Sequence, residues 1–61
     1  MKIKISFTGY KADGTEETGE IVADLPDTNF IEQFRKFGEI MHGLAEENEY
    51  VDMYDTNVEE V

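Results

Sequence analysis

With 15 acids, 5 bases and no cysteine, the 61 residues make one small domain of net charge −10, with a single core and neither a disulfide nor a thiolate metal site to hold it. One His is too few for a zinc cage, so no metal and no cofactor is expected. No apolar run approaches the roughly 18 residues of a membrane helix, and the opening MKIKISF is too short and too regularly alternating for a signal peptide. The chain therefore reads as a soluble, cytoplasmic protein.

The charge is also lopsided. Residues 1–36 hold all five bases against seven acids, a net −2, whereas residues 37–61 hold eight acids and no base, a net −8. Such a density repels nucleic acid and anionic lipid, and it draws in basic surfaces with a long-range pull that salt weakens. The plainer alternative is that the charge serves solubility alone.

In chain order, Ile3, Ile5 and Phe7 alternate with Lys2, Lys4, Ser6 and Thr8, the period of two that marks a half-buried strand. Lys11-Ala12-Asp13-Gly14-Thr15 has the chemistry of a type I turn closed by a left-handed glycine. A second strand follows to Leu25, with Ile21, Ala23 and Leu25 inward and Glu20, Val22 and Asp24 outward. Register follows from requiring that opposed residues share a face. A three-residue loop Ala12-Asp13-Gly14 sets Ile5 against Ile21, Ile3 against Ala23 and Phe7 against Gly19, with Lys2 opposite Asp24 outside. A two-residue Asp13-Gly14 turn would oppose Ile3 to Asp24 and is rejected; a loop of Asp13-Gly14-Thr15 would also preserve the faces.

Pro26 ends the hairpin, and Asp27-Thr28-Asn29 offers three residues able to cap a helix, Asn29 with Glu32 at capping-box spacing. Phe30, Phe34, Phe37, Met41 and Leu44 then stack in one stripe at about 100° per residue, flanked by Ile31 and Ile40. The apolar arc covers about half the circumference, more than a minimal amphipathic face needs. Gly38 lies on it, where a missing side chain would let the helix approach the sheet; Gly43 faces water. Glu46 and Glu47 sit at the helix C-terminus, the wrong end for anions. Asn48 is a turn residue, after which Val51 and Met53 would face the helix and Tyr50, Asp52 and Tyr54 face out.

The expected fold is a small α+β ββαβ domain: a single-layer antiparallel sheet, order 2-1-3, with one helix on one face. A hairpin over 2–25, a helix over 28–46 and a third strand over 50–54 precede an acidic tail over 55–61, too polar to pack alone.

The chain is poor in catalytic groups. Its only Ser and His are Ser6, on an outer strand face, and His42, which reads as an edge residue covering the core. Glu32, Glu39 and Glu46 share a helical face but lack the apolar cleft that would raise a carboxyl pKa. Asp55-Thr56-Asn57-Val58-Glu59 starts like a calcium loop, but Glu60 stands where that loop needs Gly. Lys2, Lys4 and Lys11 are too few for a nucleic-acid patch. No enzyme is expected.

What remains is a surface: Glu39, Glu46, Glu47, Glu49, Asp52, Asp55, Glu59 and Glu60, interleaved with Tyr50 and Tyr54. Acids give charge and tyrosines give rigid amphipathic anchors. The first expectation is a non-enzymatic inhibitor that mimics DNA or RNA and occupies the basic groove of a nuclease or another nucleic-acid-binding protein, binding neither nucleic acid nor membrane itself. In style, though not by any motif, it resembles the small anti-restriction and anti-CRISPR inhibitors of phages and plasmids. The second expectation is a structural or assembly protein that oligomerises, as a homodimer for instance, through its overly broad helix face or its strand edges.

Overall fold

The computed structural model describes all 61 residues as β1 (Lys2–Lys11), β2 (Glu16–Asp24), α1 (Phe30–Asn48) and β3 (Tyr50–Glu60). The three strands are antiparallel in the order β2-β1-β3, an open sheet with α1 over one face. The hairpin takes the three-residue loop. Gly14 N–H donates to Lys11 O at 3.0 Å, Thr15 N–H to Asp13 Oδ1 at 2.9 Å, and Gly14 sits at φ 90°. Ile5 consequently faces Ile21, Ile3 faces Ala23, Phe7 faces Gly19 and Lys2 faces Asp24.

The core is confined to the middle strand: Ile3, Ile5 and Phe7 are buried, with Thr8 the one buried polar residue. Central placement explains this, because β1 alone has a neighbour on both sides. Two rings lie over bare backbone. Phe7 rests on Gly19, where a Cβ would come within 2.9 Å of the ring, and Tyr50 rests on Gly9, where a Cβ would fall inside the ring's contact radius. Phe7 and Tyr50 themselves meet at 6.1 Å between centroids, tilted by 57°.

The third strand does not stop at Tyr54. It runs to Glu60 along the whole of β1, so the stretch 55–61 expected as a tail forms the far half of a strand, with Val61 N–H donating to Lys2 O at 2.9 Å. Ladder pairing satisfies backbone groups whatever the side chains are, and so a polar sequence can complete a sheet edge. Two register shifts interrupt the pairing, one between Ser6 and Thr8 and one between Tyr10 and Lys11. The first holds Asp55 at φ 53°; the second leaves Val51 unpaired and exposed. The second shift also turns Tyr50 onto the helix face. The expected facing of Val51 inward and Tyr50 outward is thereby reversed, while Met53 inward and Asp52 and Tyr54 outward hold.

Asn29 caps α1, its Oδ1 accepting from Glu32 N–H at 2.9 Å, so the helix begins at Phe30 and not 28. It also ends later than expected. Asn48 is not the turn residue: its Nδ2 donates to Leu44 O at 2.9 Å, and the chain reverses at Glu49, which is left-handed at φ 59°. No residue of α1 is fully buried, and the broad apolar arc divides. Phe37, Ile40, Met41 and Leu44 are half-buried against the sheet, but Phe30 is 76%, Ile31 69% and Phe34 66% exposed. Gly38 lies on the exposed flank with nothing within 4 Å of where its Cβ would be, so it does not serve close approach to the sheet. His42 is likewise exposed and covers no core, its Nε2 lying 2.8 Å from Glu46 Oε1.

With a radius of gyration of 12.1 Å, against about 10.5 Å for a compact chain of this length, the molecule is elongated.

Candidate functional site

Antiparallel pairing of the strands and the return of α1 sort the charges by end of a molecule 39 Å long. At one end lie the hairpin turn, the start of β2, the last turn of α1 and the start of β3. Asp13 and Glu49 line the same hollow there with Lys11 and Ala12, although they are far apart in sequence. Glu16 and Asp52 both pair with Tyr10, one from each side of β1, and Glu46 and Glu47 complete the last helical turn. Seven carboxylates thus gather at Asp13, Glu16, Glu17, Glu46, Glu47, Glu49 and Asp52. The single base among them, Lys11, lies 3.7 Å from Glu17.

The opposite end holds the other four bases. Lys4 reaches Glu20 at 3.6 Å and Glu59 at 4.0 Å; Lys2 faces Asp24; Arg35 and Lys36 lie on the early turns of α1. Glu59 and Glu60 belong to this mixed end. Glu39, mid-helix, is 3.9 Å from Lys36, and Asp55 occupies the bulge of β3. Of the ten residues singled out in the sequence, then, Glu46, Glu47, Glu49, Tyr50, Asp52 and Tyr54 come together, while Glu39, Asp55, Glu59 and Glu60 lie elsewhere. Asp13, Glu16 and Glu17 are the members that sequence reasoning missed. The signal was available in the hairpin register, which already set Glu16 and Glu17 beside Tyr10 and Gly9.

The two tyrosines are fixed parts of this acidic end. From the helix face, Tyr50 crosses Gly9 and its hydroxyl donates to Glu17 Oε1 at 2.9 Å; from the opposite face, Tyr54 donates to Glu16 Oε1 at 2.5 Å. Tyr54 also lies 6.4 Å from the Tyr10 ring. Both phenols are held protonated. Desolvation first, then the Glu17 bond and charge, raise the pKa of Tyr50; the bond to Glu16 leads the causes that push Tyr54 up to about 12. In the turn, the bonds from Thr15 lower the pKa of Asp13, keeping it charged. The result is a surface of fixed negative charge with pinned aromatic faces.

Nothing at this end assembles a nucleophile and base. Ser6 lies on the sheet face opposite the helix that carries His42. No group of three or more His, Asp or Glu stands close enough together to hold a metal ion, and no helix is long and apolar enough to cross a membrane. Compared with protein-family models, with curated proteins and with solved structures, the chain matches none of them.

Proposed function

We propose that the chain is a non-enzymatic binding protein whose acidic end occupies the basic groove of a nucleic-acid-handling protein and competes there with DNA or RNA. The observation that carries this reading is the convergence of seven carboxylates from the hairpin, helix end and third strand around Tyr50 and Tyr54, against the one base Lys11. Grooves that hold nucleic acid array Lys and Arg for phosphates, and a rigid array of carboxylates presents the same sign of charge to them. Fixed tyrosine rings lose little freedom on binding and add apolar grip. Solubility alone gives no reason for anions at the end of α1, where the helix dipole opposes them.

The test is capture from cell lysate on the immobilised chain, with elution by duplex DNA or by salt and identification of the bound proteins by mass. Nucleic-acid-binding proteins released by both eluants are the expected result. Retention that resists both, or a captured set free of such proteins, overturns the reading. A variant carrying Glu16→Gln, Glu46→Gln, Glu47→Gln, Glu49→Gln and Asp52→Asn should capture little while remaining folded.

A further inference from the structure

The acidic end leaves the most exposed apolar surface of the molecule unexplained. Phe30, Ile31 and Phe34 stand on one flank of α1 at two-thirds exposure or more, next to an apolar cleft of 270 Å³ that Met1, Ile3 and Val58 share with Phe30, Phe34 and Phe37. These three side chains alone offer about 400 Å² of apolar surface. With the half-exposed Met1 and Val58 of that cleft, the patch reaches about 500 Å², close to the roughly 600 Å² each partner contributes to the smaller stable interfaces. We infer that this flank is the seam of a two-fold homodimer in which two copies of α1 pack antiparallel, Phe34 of each filling the notch at Gly38 of the other.

Three observations favour a second copy as the occupant. The notch and the knob lie one helical turn apart on the same flank, and Gly38 opens onto empty space. A two-fold axis level with Lys36 sets Phe34 against Gly38 of the second copy and Gly38 against its Phe34, the self-complementarity an isologous contact requires. Charge agrees. Arg35, which has no ion-pair partner within the chain, borders the flank and faces Glu39 of the second copy in this arrangement. Finally, two chains of −10 must keep their acidic ends apart. Antiparallel helices place those ends at opposite extremes of the dimer and bring together the less negative end, where four bases stand with six acids. The inference goes beyond the proposed function: such a dimer presents two acidic ends facing away from each other, each free to dock.

Sedimentation equilibrium of the full chain over a dilution series, at low and at high salt, tests it. A monomer–dimer equilibrium that tightens with salt is expected, because salt screens the repulsion between the copies. Docking of the acidic end on a basic partner has the opposite salt dependence, so failure of one reading is distinguishable from failure of the other. Gly38→Leu fills the notch, and its Cβ would have nothing outside its own helix backbone within 4 Å; it should preserve the helix by circular dichroism and raise the dimer dissociation constant about tenfold or more. Phe34→Glu should abolish the dimer. A chain that stays monomeric at every concentration and salt overturns the inference, as does a dimer that Gly38→Leu leaves unchanged.

Discussion

Tyr50 spans the whole width of the sheet: it starts on β3, lies over Gly9 of β1 and ends 2.9 Å from Glu17 of β2. One side chain thus ties together two edge strands that share no ladder of their own. Its packing depends on the absence of a Cβ at Gly9. Gly9→Ala should therefore lower the free energy of unfolding by about 2 kcal/mol, the scale of an overpacked core site. Urea melts of Gly9→Ala, alone and with Tyr50→Ala, check this: the double variant should lose less than the two single losses added together.

Tyr54 makes the matching contact on the other face, and its phenol is held to about 12 chiefly by the bond to Glu16. In the unfolded chain it would titrate near its ordinary value of 10.0. The folded state thus binds this proton more tightly, and the associated stability is complete below pH 10 and lost as the pH rises through 12. An ultraviolet titration of tyrosinate should show, beside the raised Tyr50 phenol, a component near pH 12 that disappears in Tyr54→Phe and moves to lower pH in Glu16→Gln.

Glu49 closes α1 in the left-handed region at φ 59°, its N–H donating to Ala45 O and Glu46 O. A side chain there costs about 1 kcal/mol relative to glycine. Glu49→Gly should stabilise the fold by roughly that amount in thermal or urea melts and weaken capture of basic partners. A variant that gains stability while losing binding is the pattern of a residue retained for its surface.

Glu47 has no ion-pair partner in the chain and stands in the last turn of the helix, where the dipole opposes an anion. Glu47→Lys reverses the sign at the favoured end and should add about 0.5 kcal/mol at low salt, with the gain shrinking as salt rises. Denaturant melts at two ionic strengths measure both effects.

The N-cap rests on one bond, from Glu32 N–H to Asn29 Oδ1. Asn29→Ala should cost about 1 kcal/mol, visible as a lower urea midpoint with an unchanged slope, because the substitution removes a bond without altering the area exposed on unfolding.

Local rules made much of the fold legible. The hairpin register followed from keeping Ile3, Ile5 and Ile21 on one face, and Asn29 was a cap by its residue type and its distance from Glu32. The third strand was legible only to Tyr54, because its bulges break the period of two: Tyr50, Met53 and Val58 share the helix face at spacings no regular strand produces. Its continuation to Glu60 depends on the free edge of β1, which no residue of that stretch encodes.

The candidate site divides in the same way. Composition and order along the chain determined that the second half is polyanionic and that tyrosines stand among the acids, since these are properties of the residues themselves. Only the tertiary structure decided which acids act together. Antiparallel pairing brought Asp13, Glu16 and Glu17 from the near-neutral half to the acidic end, and sent Glu59 and Glu60 to the end that holds Lys2 and Lys4. Charge adds by distance in space, and it is the direction of each strand that sets those distances.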